Sequence, residues 1–251
     1  AIENCVGVWN GAVPFIPGAP TSVPNNFFIR QMARLVLLEK APLVADAVSP
    51  GGSGDPYAGL DPMERAVLLE VTQLGVPLRG WEDYSYLLRL DDPQGLLGFA
   101  SMVQGMDPTY ADDFWTKPGY LGTEQSALGD WFRAAAKTND RWSLALASFH
   151  RHQVPKRPGF YAWDHLRGRD GKPLYPQRPT EIGRLVTRGA GGGTQTGAIQ
   201  GKIIVVANLL DGDAYPRDGD WDSARGRESL GQHRYDGSFR LWYNDYAGHI
   251  G

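Results

Sequence analysis

The sequence predicts an α/β protein in which a parallel sheet carries a large, mostly helical insertion. The almost unbroken apolar run Ile203–Leu210 is typical of a strand that is buried on both faces of a parallel sheet. After it, residues 220–230 can form a helix that ends at Gly231, and Phe239–Tyr243 reads as a second strand. This order predicts a strand–helix–strand crossover, and the helical periodicity of the preceding chain predicts the insertion.

The composition is that of an ordinary globular protein and excludes two classes of partner. The 251 residues suffice for one large domain, or for a core with an inserted subdomain. Hydrophobic residues make up 42%, charged residues 21%, and the net charge is −3. No basic field argues for nucleic acid, and no apolar run approaches the roughly 20 residues that span a bilayer. We therefore expect neither a nucleic-acid nor a membrane partner. The lone Cys5 excludes an internal disulfide.

Along the chain, the patterns predict three segments. Residues 1–23 hold a core strand, Val8–Ile16, and a turn. Residues 24–141 form the helical insertion, and residues 142–251 return to the core with the strands and helix described above. Trp142–Phe149 reads as a further strand.

Start and stop signals place several helices in the insertion. Asn25–Lys40 is rich in apolar residues and predicts a buried helix. Asp61, followed by proline and then by Glu64, is a strong helix start, with an N-cap acid and a capping glutamate. Thr123 is expected to cap a helix that runs to about Lys137.

Two chemically capable residues follow the two late strands. Asp211 comes directly after the apolar run, and His249 comes a few positions after the last strand. The carboxyl ends of parallel strands meet at one rim of the sheet, where α/β proteins build their sites. A carboxylate there can hold an imidazole in one tautomer while the imidazole takes a proton from a nucleophile. Asp213 is the alternative acid, since a small difference in the turn would exchange the two aspartates.

The order of acid then histidine is the second half of the Ser…Asp…His order of α/β-hydrolases. The motif that normally carries the serine, G-x-S-x-G, occurs nowhere in the sequence. The sequence therefore predicts a catalytic acid and base, Asp211 and His249, without a serine nucleophile.

The chain resembles the tannase/feruloyl-esterase-like and related bacterial α/β-hydrolases in three places. Ala1–Pro20, with Val8–Pro17 as its strand, is similar to the segment that follows the nucleophile elbow in that superfamily. Ile203–Pro216 and Phe239–His249 are similar to its acid and histidine segments. The resemblance implies a partial α/β-hydrolase-type sheet that lacks the first strands, the serine and the oxyanion hole, so that the chain opens in mid-domain.

The function that this resemblance implies is hydrolysis of a small-molecule ester by Ser-His-Asp chemistry. The insertion would then be the cap that walls the pocket, and the isolated chain would be inactive without its amino-terminal segment, the expected partner. Related hydrolases are often exported, which fits a secreted or periplasmic bacterial protein. The alternative is a non-catalytic module of α/β fold in which the helices and tryptophans hold a ligand or a partner.

We expect no metal and no cofactor. His150 and His152 have the spacing of a metal pair on a strand, but no third ligand is apparent. The acidic residues between Asp211 and Asp222 lack the order of a calcium loop. The glycine-rich loop Gly189–Thr194 is followed, and not preceded, by a strand, which argues against a phosphate site.

Overall fold

A small parallel sheet and a larger helical body make up the computed structural model, which describes residues 2–3, 5, 7–16, 25–153, 165–178 and 196–249. The strands are β1 (Gly11–Ala12), β2 (Lys202–Asn208) and β3 (Phe239–Asn244). They are arranged in the order β1-β2-β3 and all pairs are parallel. The predicted fold class, α/β with a parallel sheet and a large, mostly helical insertion, is confirmed.

The sheet is built around β2, but this strand is not fully buried on both faces as predicted: Ile204 and Val206 are only partly buried. Val205 is fully buried, and Ile203 is 8% exposed. β3 pairs with β2 in a continuous register from Ile203 opposite Phe239 to Asn208 opposite Asn244. The amino-terminal strand is shorter than the predicted Val8–Ile16, because only β1 and an isolated bridge from Phe15 to Val206 pair with β2.

The helical body contains eight α-helices among the described residues before β2. These are α1 (Asn25–Leu37), α2 (Ala41–Val48), α3 (Pro62–Gln73), α4 (Tyr84–Leu87), α5 (Ala100–Met106), α6 (Tyr110–Thr116), α7 (Ala127–Ala135) and α8 (Arg141–Leu146). Short 3₁₀ helices lie at Leu38–Lys40, Leu78–Asp83, Gly95–Leu97 and Phe149–Arg151. Their apolar faces form one core, with Trp81, Tyr110 and Phe149 among its fully buried side chains.

Capping explains where several helices begin. The predicted capping box is present at α3, where Glu64 N–H donates to the Asp61 carboxylate and Asp61 N–H donates to the Glu64 carboxylate, both at 2.8 Å. Thr123 was the wrong cap for α7. Ser126 is its N-cap, accepting from Gly129 N–H.

The strand predicted at Trp142–Phe149 is wrong, because this stretch forms α8 and a 3₁₀ turn. The side chain of Asp140 caps α8 by accepting from the N–H and the hydroxyl of Ser143, and these two hydrogen bonds lower the pKa of Asp140. The apolar residues then pack into the helical core rather than into the sheet. The boundaries proposed between the three segments stay a prediction.

Two helices connect β2 to β3, where one was predicted. α9 (Pro216–Leu230) begins earlier than expected, at a proline suited to the first helical turn, and ends as predicted at Gly231, whose φ is +72°. α10 (Gln232–Ser238) follows directly and leads into β3. Within the described part of the chain, no helix is both long and apolar enough to cross a bilayer.

Candidate active site

Asp211 lies in the turn that follows β2, and the fold buries it completely. Its side chain is 0% exposed. Its Oδ1 accepts backbone N–H groups from Asp213 at 2.7 Å and from Ala214 at 2.9 Å. Burial raises the pKa of the Asp211 carboxyl, and these hydrogen bonds and the histidine beside it only partly oppose that rise. The turn therefore fixes a carboxylate in a place where its charge is unfavourable for the folded state.

His249 lies against this carboxylate. Its Nδ1 is 3.0 Å from Asp211 Oδ2 and 3.1 Å from Oδ1. The histidine side chain is 28% exposed, whereas the aspartate is buried. In the described part of the chain, the hydrogen bonds of the His249 ring run through Nδ1. The structure thus brings together the two residues that the sequence predicted. Nε2, the second ring nitrogen, does not take part in the contact with Asp211.

Asn208, the last residue of β2, holds the loop that carries the histidine. Its side chain is buried, and Nδ2 donates to the Gly248 carbonyl at 2.6 Å. Its Oδ1 lies 3.3 Å from Asn244 Nδ2. Leu210 N–H donates to the Ala247 carbonyl at 3.1 Å and continues the attachment. Sequence reasoning missed this residue. The available signal was a lone polar side chain that interrupts an apolar strand.

Asp213, the alternative acid, has other partners. Its Oδ1 is 2.7 Å from Arg30 Nη1, and its Oδ2 accepts from the Tyr86 hydroxyl at 3.0 Å. Asn26 Nδ2 also lies 3.3 Å from its backbone carbonyl. Asp211 contacts the histidine, and Asp213 fastens the same turn to α1 and α4.

The helical insertion contacts both loops of the site. Tyr86 of α4 stacks on the His249 ring, with centroids 5.9 Å apart and planes inclined by 20°. On the histidine loop, Arg79 Nη1 is 2.8 Å from Asp245 Oδ1, and its guanidinium lies 4.6 Å from the Tyr246 ring centroid. None of these three contacts was predicted, because each joins residues that are distant in sequence.

The arrangement can perform general acid–base chemistry. If Nδ1 carries the proton that it donates to Asp211, Nε2 has a free lone pair that can accept a proton from a nucleophile. The carboxylate then stabilises the imidazolium that forms. A buried acid with a raised pKa beside a partly exposed histidine is a combination that is common at functional sites.

The residues considered for metal binding have other roles in the structure. His150 Nε2 is 3.0 Å from Glu70 Oε1, and His152 Nδ1 is 3.0 Å from the Pro176 carbonyl oxygen. Among the described residues, no group of three or more histidine, cysteine, aspartate or glutamate side chains could hold a metal ion. The loop Gly189–Thr194 lies outside the described residues.

Comparisons with protein-family models, with curated proteins and with solved structures found no match.

Proposed function

We propose that this chain supplies the acid and the base of a serine-hydrolase site that transfers the acyl group of a small-molecule ester to water. Asp211 orients His249 and stabilises its imidazolium form. Nε2 of His249 accepts the proton of a serine hydroxyl and then returns it to the leaving group. The chain would be the acid-and-histidine part of an α/β-hydrolase, with the helical insertion as its cap.

The observation that carries the proposal is the Asp211–His249 pair at the carboxyl end of two parallel strands. The carboxylate is buried, is held by two backbone N–H groups, and faces the nitrogen of a partly exposed imidazole. An aspartate that served only to form the turn would not need to be buried, since burial of its charge lowers stability. The fold bears this cost, which is typical of residues kept for function.

The open edge of the sheet supports a place for the missing nucleophile. β1 pairs on one side only in the described part of the chain, and exposed apolar side chains surround it. These are Val8 at 65%, Trp9 at 56%, Val13 at 66% and Phe15 at 52% exposure. A further parallel strand from an amino-terminal segment would cover them and bring a serine to the same rim as Asp211 and His249.

An activated ester, whose hydrolysis does not require a serine nucleophile, tests the Asp211–His249 pair directly. An oriented imidazole with a free Nε2 attacks an activated ester such as p-nitrophenyl acetate by itself. We expect the full chain to hydrolyse this ester faster than buffer, and His249→Gln to remove the excess rate. Asp211→Asn should lower the excess rate by about tenfold or more, because the carboxylate orients the ring.

Two matched variants serve as controls. His233→Gln removes an exposed histidine on α10 and should leave the rate unchanged. Asp213→Asn removes the alternative acid and should lower the rate less than Asp211→Asn, since Asp213 contacts Arg30 and Tyr86 instead of the histidine. An excess rate that is equal in the wild-type chain and in His249→Gln would reject the proposal and favour the non-catalytic binding module.

A further inference from the structure

We propose that Tyr86, in the helical insertion, is a positioning residue for His249, so that the insertion is a fixed part of the catalytic unit and not only a cover over the pocket. This inference rests on the proposed function of the Asp211–His249 pair. It adds a third residue to that pair, from a segment whose sequence contains no sign of the role.

A hydrogen bond at Nδ1 leaves one motion of an imidazole unrestrained. The bond from Nδ1 to Asp211 fixes where that nitrogen points, because the N–H of a planar ring donates in the plane of the ring. It resists rotation out of that plane only weakly, and such a rotation would displace Nε2, the atom that must meet the nucleophile. The Tyr86 ring lies nearly parallel to the imidazole, at 20° and 5.9 Å, and blocks this tilt on one face.

Tyr86 is held both at its phenol ring and at its backbone. Its hydroxyl donates to Asp213 Oδ2 at 3.0 Å. Its backbone carbonyl accepts from Arg30 Nη2 at 2.9 Å. Arg30 Nη1 binds the other oxygen of Asp213 at 2.7 Å, so one buried guanidinium joins the acid turn to the helix that carries Tyr86.

Arg30 holds these contacts rigidly because its own side chain is buried and hydrogen-bonded. Its side chain is 0% exposed, and its Nε donates to the Leu87 carbonyl at 2.8 Å. A buried charge is costly to leave unpaired, and therefore any movement of α4 away from Asp213 is unfavourable. The same set of contacts fixes the acid turn and the ring that stacks on His249. A cap that moved as a free lid would break them.

The test is the NMR signature of His249 in the full chain labelled with ¹⁵N-histidine. The wild-type chain should show His249 with a protonated Nδ1 whose proton exchanges slowly with water. Tyr86→Leu removes the stacked ring and should speed this exchange by about threefold to tenfold, the change expected from the loss of one aromatic pair. Tyr86→Phe removes the hydroxyl that anchors the ring, and Asp213→Asn weakens this anchor by removing the carboxylate charge. Both variants keep the ring and should give a smaller increase.

Tyr84→Phe is the matched control, since Tyr84 lies on the same helix and packs against the helical core. It should leave the exchange rate unchanged. The signals of buried His150 and His152 report whether each variant is folded. If Tyr86→Leu disturbs them, Tyr86→Phe and Asp213→Asn decide the question.

The possible results separate the two proposals. If the wild-type chain shows the slowly exchanging Nδ1 proton and the Tyr86 and Asp213 variants leave it unchanged, Tyr86 has no positioning role and the proposed function stands. If His249 in the wild-type chain lacks a protonated Nδ1, the acid–histidine pair itself is refuted, and the inference built on it with it.

Discussion

Acidification should destabilise this protein through a histidine that the proposed site does not use. His152 is 1% exposed, stacks on Tyr120 at 4.3 Å, and uses Nδ1 for the Pro176 carbonyl. Its Nε2 is buried without a hydrogen-bond partner in the described part of the chain. Burial lowers the pKa of His152 from 6.5 to about 3, and the Pro176 hydrogen bond only partly opposes this.

The magnitude follows from proton linkage. Well above pH 6.5 the ring is neutral in both states and does not change the unfolding free energy. As pH falls below that value, the unfolded chain takes up a proton that the folded chain refuses until about pH 3. Well below pH 6.5, each pH unit in this window should therefore remove about 1.4 kcal/mol of unfolding free energy, and the loss accumulated by pH 5 should be about 2 kcal/mol.

Urea unfolding at several pH values, compared between the wild-type chain and His152→Asn, measures this contribution. Asparagine keeps an amide donor near the position of Nδ1 and does not titrate. The difference between the two slopes is the useful quantity, because other groups act in the same window. His150, whose pKa is also lowered by burial, adds to the slope, whereas Asp222, whose pKa is raised, opposes it.

The variant should have a slope that is smaller by about 1.4 kcal/mol per pH unit over this range. Equal slopes for His152→Asn and the wild-type chain would refute the reasoning, since they would mean that His152 takes up its proton as readily in the folded state.

Two further predictions concern residues near the sheet. Burial and neighbouring acids raise the pKa of Asp222 from 3.8 to about 7. The folded chain therefore binds this proton more tightly than the unfolded chain, and stability is lost as pH rises from 3.8 to about 7. Asp222→Asn should raise the melting temperature at pH 8 but not at pH 3. Asn208→Ala removes a buried side chain and leaves the Gly248 carbonyl without its donor, and should lower the unfolding free energy in urea by about 1–3 kcal/mol while speeding amide exchange around His249. An unchanged exchange rate there would show that other contacts hold the histidine loop.

The sequence determined those features that depend on neighbouring residues. The apolar run before Asp211 predicted a buried parallel strand, and Gly231 predicted the end of α9, because a positive φ of 72° suits glycine. The capping box of Asp61 and Glu64 predicted the start of α3. The order of an acid and a histidine after two parallel strands also sufficed to place both residues at one rim, since parallel strands end on the same side.

Only the tertiary structure decided which aspartate meets the histidine and what supports the pair. The sequence favours Asp211, which directly follows the apolar run, but a small difference in the turn would exchange it with Asp213. In the structure Arg30, 183 positions away, binds the Asp213 carboxylate and leaves Asp211 to the histidine. Tyr86 reaches His249 for the same reason, through a packing contact with no local signal. The apolar stretch after Trp142 fits a strand or a buried helix by composition alone, and burial in the helical core selects the helix. Local chemistry set the elements and their ends, whereas long-range packing set the contacts that make a site of them.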